Sequence, residues 1–180
     1  MASPRLFRFA ALAALLLTGL GLTGCYGSSG LLLDPDEAVQ PLAEGTYIQE
    51  GGGDRLRLIQ TADGWYEVET MFADGTIGET HRALVNLIAT PSGGAFAIAE
   101  QRGDGGYAYA VARVEGGRVQ LATPDCADPA DRDLAVDHGV AEEDDGPMTP
   151  TCSFHNRVAL MSALAAFAGQ ADFGRPYIRH

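Results

Sequence analysis

Glycine-containing turn sequences recur about every ten residues between Gly45 and Ala122. Glycine and aspartate supply the positive φ angles that tight hairpin turns require. Six such turns separate seven short runs, which predicts an antiparallel meander of about seven strands. The turns are Gly51-Gly52-Gly53, Asp63-Gly64, Asp74-Gly75, Ser92-Gly93-Gly94, Gly103-Asp104-Gly105-Gly106 and Gly116-Gly117.

The runs between these turns alternate with a period of two, as half-buried strands do. One strand face carries Tyr66, Val68, Thr70 and Phe72, and the opposite face carries Trp65, Glu67, Glu69 and Met71. A later run sets Tyr107, Tyr109 and Val111 against Ala108, Ala110 and Ala112. A long meander tends to curl and bury one face, so we expect a curved sheet or a small barrel. Whether the sheet closes is left open.

The last third of the chain is helical in pattern. Asp128 followed by Pro129 is typical of a helix start, and Gly139 is a typical stop, which predicts a helix over 130–138. A second helix is predicted over 153–168, ending at Gly169. Its apolar stripe is formed by Leu160, Leu164 and Phe167. The predicted fold class is therefore α+β, a β-meander of about seven short strands followed by two C-terminal helices.

The N-terminal segment has the layout of a secretory signal peptide, with Arg5 and Arg8 before an apolar stretch that ends at Leu22. This stretch of about 14 residues is shorter than the roughly 20 that a membrane-spanning helix needs. Its end, Leu22-Thr23-Gly24-Cys25, resembles the lipobox of bacterial lipoproteins. The resemblance implies that residues 1–24 are removed and that Cys25 carries fatty acyl groups such as palmitate. Tyr26, where an aspartate would favour inner-membrane retention, implies the outer membrane, facing the periplasm.

This resemblance also sets the expected domain organisation. Residues 25–44 contain Gly, Ser and Pro and are predicted to form the acylated cysteine and a flexible tether, with a single domain over 45–180. With Cys25 committed to lipid, Cys126 and Cys152 remain as an even pair in an oxidising compartment, and we expect them to form a disulfide. The alternative is a catalytic thiol, Cys152 with His155 or His138 as its base.

The net charge of −12, which becomes −14 once Arg5 and Arg8 leave with the signal, argues against a nucleic-acid partner. No catalytic, zinc-binding or nucleotide-binding motif is present, and we expect neither an enzyme nor a cofactor. Two sets of acidic residues each allow a chemical and a non-chemical interpretation, and we expect the non-chemical one for both. The first is a possible calcium site that competes with helix capping, at Asp125, Asp128, Asp131 and Asp133. The second is a possible acid–base pair at Glu67 and Glu69, which we expect instead to lie on the solvent face beside Trp65.

Four aromatic residues on the predicted strands, Tyr47, Trp65, Tyr107 and Tyr109, either fill a small core or line a pocket for an apolar ligand. The leading expectation is a non-enzymatic, outer-membrane-anchored periplasmic lipoprotein that acts on an envelope protein as an interaction or envelope-maintenance module. One alternative is a carrier of a small apolar ligand that resembles lipocalins, although their Gly-x-Trp signature is absent because Gly64 and Trp65 are adjacent. The other is an inhibitor of an envelope-attacking hydrolase.

Overall fold

The seven strands of the predicted meander are all present. A computed structural model describes residues 26–72, 74–90, 93–140, 142–144 and 151–180. Consecutive strands pair antiparallel throughout. At the last hairpin Gly116 and Gly117 have φ values of 56° and 78°, the positive pair that a type I′ turn requires. The strands are β2 (Gly45–Gln49), β3 (Arg55–Gln60), β4 (Tyr66–Met71), β5 (Ile77–Ile88), β6 (Ala95–Gln101), β7 (Tyr107–Glu115) and β8 (Arg118–Ala122).

A short strand at the C-terminus closes the sheet. β11 (Tyr177–Arg179) pairs antiparallel with both β2 and β8, with Ile178 opposite Ile48 on one side and Arg118 on the other. The meander and β11 together form a closed eight-stranded barrel. The expected fold class, α+β with a small barrel and two helices, is confirmed, and the question of closure is answered by β11.

Three further short strands extend the sheet from the start of β7. They are β1 (Tyr26–Ser28), β9 (Glu142–Asp144) and β10 (Thr151–Ser153). β1 pairs antiparallel with β7 and parallel with β10, and β10 pairs antiparallel with β9. The predicted disulfide between Cys126 and Cys152 is present, with a Cα–Cα distance of 6.1 Å, and links β10 to the segment after β8.

The structure places residues 26–44, for which the sequence predicted a flexible tether, against the domain. Tyr26 in β1 is fully buried, and Leu33 is buried as well. Pro35–Glu37 form one turn of 3-10 helix, and Ala38 makes an antiparallel bridge to Asn86 in β5. Burial of these apolar side chains explains why the segment is held on the barrel. The predicted signal peptide, its lipobox and Cys25 lie outside the described residues.

Both predicted helices are present with shifted ends. Helix α1 (Pro129–Asp137) begins at the Asp128 cap, whose side chain accepts from the Ala130 amide, and the chain turns away at Gly139 with φ 91°. Helix α2 (Arg157–Gln170) begins later than predicted, after the Asn156 cap, because Ser153 belongs to β10 and the Phe154 amide donates to the Gly27 carbonyl. The predicted stop at Gly169 is wrong, since α2 continues through it. Among the described helices, none is both long and apolar enough to cross a membrane.

The barrel wall separates two apolar regions. The first, here called the outer core, lies between the wall and the two helices and is formed by residues such as Tyr26, Ala97, Tyr109, Leu160, Leu164 and Phe167. The second, here called the lumen, lies inside the barrel and is formed by residues such as Tyr47, Leu58, Tyr66, Val85, Val119 and Tyr177. Successive residues of one strand point to opposite faces, so β5, β6 and β7 contribute to both regions.

Candidate functional site

The candidate site is the lumen, which contains a cavity of about 100 Å³. An eight-stranded barrel is just wide enough to be filled by side chains or to hold one small ligand. Most of the cavity wall is aliphatic, and every strand that closes the barrel except β7 contributes to it. The aliphatic residues include Leu56, Leu58, Val68, Val85, Ile98 and Val119.

One end of the lumen is covered by the N-terminal segment. β4 stops pairing with β5 at Ala83, and the free edge beyond it is taken by Ala38 and Val39, whose amide donates to the Val85 carbonyl at 2.8 Å. The chain then crosses to the start of β2, and Leu42 becomes part of the cavity wall. We call residues 38–44 the cap.

Two lumen tyrosines hold the cap in place through its backbone. The Tyr47 hydroxyl donates to the Ala43 carbonyl at 2.8 Å. The Tyr66 hydroxyl donates to the Leu42 carbonyl at 2.9 Å and accepts from the Leu42 amide at 3.0 Å. Burial of each ring raises its pKa, so both hydroxyls remain protonated donors at neutral pH.

Three polar side chains lie in the cavity wall away from the cap, Thr70, His81 and Glu100. His81 is the link between two carboxylates: its Nδ1 lies 3.1 Å from Glu100 Oε1, and its Nε2 lies 3.2 Å from Glu79 Oε2. Burial raises the pKa of Glu100, and the carboxylate of Glu79 adds to this, while His81 and Arg102 act in the opposite direction. The cavity wall therefore includes a carboxyl group, that of Glu100, which is protonated more readily than an exposed glutamate.

Tyr177 is the third lumen tyrosine and differs from the other two. Its side chain is buried, with the residue only 3% exposed, and it lines the cavity. Its hydroxyl has no hydrogen-bond partner anywhere in the described part of the chain. Burial, with a smaller contribution from Asp54, raises the pKa of Tyr177 to about 12, so the hydroxyl is neutral at physiological pH.

Of the four aromatic residues singled out from the sequence, the structure brings only Tyr47 to the lumen. Trp65 and Tyr109 are buried in the outer core, and Tyr107 packs against it. The Tyr109 hydroxyl lies 2.7 Å from Ser28 Oγ and accepts from the Leu32 amide, so it fixes the N-terminal segment. The Arg82 guanidinium lies 4.8 Å from the centroid of the Trp65 ring. These three residues belong to the packing of the outer face.

Sequence reasoning missed four lumen residues: Tyr66, His81, Glu100 and Tyr177. Tyr66 was recognised on the same strand face as Val68 and Thr70, which also line the cavity, and that alternation was a sufficient signal. His81 and Glu100 had no motif around them, and they meet only because β5 and β6 are paired. Tyr177 had no signal, because a strand of three residues is too short to show alternation.

The acidic groups considered as sites make local structural contacts. Asp128 caps α1, and Asp131 Oδ2 accepts from the Asp125 amide at 2.8 Å. Glu69 lies 3.2 Å from Arg57 on the outside of the barrel wall, and its side chain is only 11% exposed. The expectation of an open, solvated Glu69 is therefore wrong, because Arg57 covers it. Within the described residues, no group of three or more His, Cys, Asp or Glu side chains is arranged to hold a metal ion.

The remaining sequence candidate for chemistry was Cys152 as a nucleophile beside His155 or His138. Cys152 is bonded to Cys126, so its sulfur is not a free thiol. Comparison with protein-family models, with curated proteins and with solved structures finds no match to this chain.

Proposed function

We propose that this protein is a lipid-anchored protein of the bacterial cell envelope whose barrel lumen binds a small apolar ligand. The observation that carries the proposal is the aliphatic cavity inside the closed barrel. Well-packed interiors leave few voids larger than a water molecule, so a cavity of about 100 Å³ is space that a ligand can use.

The size of the cavity limits the ligand. An engineered apolar cavity of about 150 Å³ is known to bind benzene, so this smaller lumen is limited to one small ring or the end of a short chain. Of the expectations raised by the sequence, a ligand carrier fits this space best. An interaction module or a hydrolase inhibitor would act through its outer surface and has no need of an interior cavity. The proposal includes no catalytic step and no cofactor.

The anchoring part of the proposal rests on the resemblance of Leu22-Thr23-Gly24-Cys25 to a lipobox. Because Tyr26 already belongs to β1, acyl chains on Cys25 would hold the barrel close to the bilayer. We place the protein at the outer membrane, facing the periplasm. Replacement Cys25→Ser is expected to leave an uncleaved precursor without acyl label. A Cys25→Ser protein that is processed normally and stays membrane-bound would contradict the anchor.

Ligand binding is tested with toluene as the probe and with two matched variants. The protein is isolated from membranes into lipid nanodiscs, and methyl NMR of Val85 and Ile98 reports whether the lumen is occupied. Ala83→Phe places a ring into the cavity wall, whereas Val158→Phe places the same ring at a residue that is 78% exposed.

We expect toluene to shift the Val85 and Ile98 methyl signals in the natural protein and in Val158→Phe, but not in Ala83→Phe. Absence of a shift in the natural protein, at a free toluene concentration fixed by equilibrium dialysis, would refute ligand binding. Equal shifts in all three proteins would place the toluene outside the lumen.

A further inference from the structure

Four of the five buried tyrosines have a hydroxyl that is hydrogen-bonded within the described part of the protein, and the fifth does not. Tyr26 donates to the Asp131 carbonyl at 2.7 Å, and the hydroxyls of Tyr47, Tyr66 and Tyr109 bond to backbone or side-chain groups. The Tyr177 hydroxyl alone among these five has no partner within the described residues. The Tyr177 side chain is one of those that line the cavity, and its hydroxyl oxygen is buried.

A buried hydroxyl without a partner loses its hydrogen bonds to water and gains nothing in return. Most side chains around the cavity are aliphatic and cannot accept a hydrogen bond, and none of the polar ones, Thr70, His81 and Glu100, is bonded to the Tyr177 hydroxyl. The cap carbonyls of Leu42 and Ala43 are already engaged by Tyr66 and Tyr47. The missing acceptor for Tyr177 is therefore best supplied by whatever enters the lumen.

The charges around the lumen also limit the charge that a ligand with such an acceptor can carry. Glu100 lies in the cavity wall, and Asp54 acts on Tyr177 from nearby. No arginine lines the cavity in the described part of the chain, and His81, the one basic residue in the wall, lies between two carboxylates. A buried carboxylate ligand would lack a cationic partner and would face like charge, which is costly.

Building on the proposed function, we propose that the ligand is a small, uncharged apolar molecule carrying a carbonyl or ether oxygen that accepts a hydrogen bond from Tyr177. Its apolar part fills the aliphatic cavity, and its oxygen meets the one lumen hydroxyl that the protein leaves unpaired. Sites built to hydrogen-bond a ligand group discriminate strongly against analogues that lack it, because the site's own polar group is then left unsatisfied.

The test is a double-mutant cycle with two probes of nearly equal shape, acetophenone and α-methylstyrene, which differ in a C=O versus a C=CH₂ group. Dissociation constants are measured by methyl NMR of Val85 and Ile98 in nanodiscs, against free probe concentrations from equilibrium dialysis. Tyr177→Phe keeps the ring and removes the hydroxyl. Tyr66→Phe is the control, because it removes a lumen hydroxyl already engaged by the cap.

We expect Tyr177→Phe to weaken acetophenone binding about fivefold to tenfold, the effect of one hydrogen bond, and to change α-methylstyrene binding less than about twofold. Tyr66→Phe is expected to leave the ratio of the two constants unchanged. The comparison is between probes within each protein, so a general change in hydration or lipid partitioning cancels.

The outcomes separate the two proposals. If neither probe binds the natural protein, the lumen is not a binding site and both proposals fail. If both probes bind and Tyr177→Phe affects them equally, or not at all, the lumen remains a binding site but the role of Tyr177 is refuted. Benzoate that binds as tightly as acetophenone would overturn the uncharged class of ligand while leaving lumen binding intact.

Discussion

The outer core and the lumen share the wall formed by β5, β6 and β7, yet the two sides of that wall are packed differently. On β6 the outward residues are the small, fully buried Ala97 and Ala99, which let helix α2 approach closely. The inward residues of the same strand, Ile98 and Glu100, face a cavity of about 100 Å³. Because successive side chains of β6 point to opposite sides of the wall, one side of the strand is closely packed and the other borders a cavity.

The two regions also treat polar groups differently. In the outer core the hydroxyls of Tyr26 and Tyr109 are hydrogen-bonded, and the Cys126–Cys152 disulfide links the elements around β1. In the lumen the Tyr177 hydroxyl is unpaired, and the buried Glu100 has a raised pKa. Under the proposed function, the outer core supplies stability, and the lumen retains groups that cost stability because they serve binding.

The largest expected effect on the free energy of unfolding comes from the same substitution, leucine to alanine, made in the outer core and in the lumen. Leu164→Ala removes a fully buried side chain of the outer core and is expected to lower the free energy of unfolding by about 3–5 kcal/mol. Leu58→Ala removes a side chain that already borders empty space, so we expect a loss of about 2 kcal/mol or less. Urea-induced unfolding measures both. Equal losses would show that the lumen is packed as closely as the outer core.

A smaller effect compares two hydroxyls within the lumen. Tyr66→Phe breaks both bonds to Leu42 and is expected to lower the free energy of unfolding by about 1–2 kcal/mol. Tyr177→Phe removes an unpaired hydroxyl, so we expect a change within about 0.5 kcal/mol or a slight gain. The measurement is urea unfolding without added ligand. A loss in Tyr177→Phe that matches Tyr66→Phe would mean that the Tyr177 hydroxyl is already bonded, for example to water.

The main elements of the fold were predictable because their signals are local. The glycine turns located all seven strands of the meander, and Asp128 before Pro129 located the start of α1. The strands β1, β10 and β11 gave no such signal, since three residues cannot display alternation and their pairing depends on partners distant in sequence. The closure of the barrel through β11 was therefore beyond local reasoning.

The candidate site was predictable only in part, for a related reason. Alternation showed which residues share a strand face, such as Tyr109 with Val111, but not which face turns inward. An aromatic strand face is the expected wall of a pocket for an apolar ligand. The outer face of β7 is instead buried in the outer core, where α2 contacts the strand, so Tyr109 packs there and Ala112 faces the lumen. Burial of both faces removes the polar residues that would otherwise mark the outside.

The smallest effect concerns the ionisation of Glu100 and depends on pH. Burial raises the pKa of Glu100 above its ordinary value of 4.5, so folding favours the protonated carboxyl. The stability that this group contributes is fully present below pH 4.5 and is lost as the pH rises through the raised folded-state pKa. Glu100→Gln stays neutral and keeps a polar group facing His81. We therefore expect the variant to become more stable relative to the natural protein as the pH rises through this window.

Urea unfolding at a series of pH values from 3 to 7 measures this difference, with Glu115→Gln as the control for removing one exposed carboxylate. A difference that does not change with pH would show that the Glu100 carboxyl is as well solvated folded as unfolded. A natural protein that gains stability relative to Glu100→Gln with rising pH would instead show that attraction to His81 and Arg102 outweighs burial. The expected profile would show that ionisation of a carboxyl group in the lumen, and not in the outer core, lowers the free energy of unfolding at neutral pH. This is the pH at which the ligand is proposed to bind.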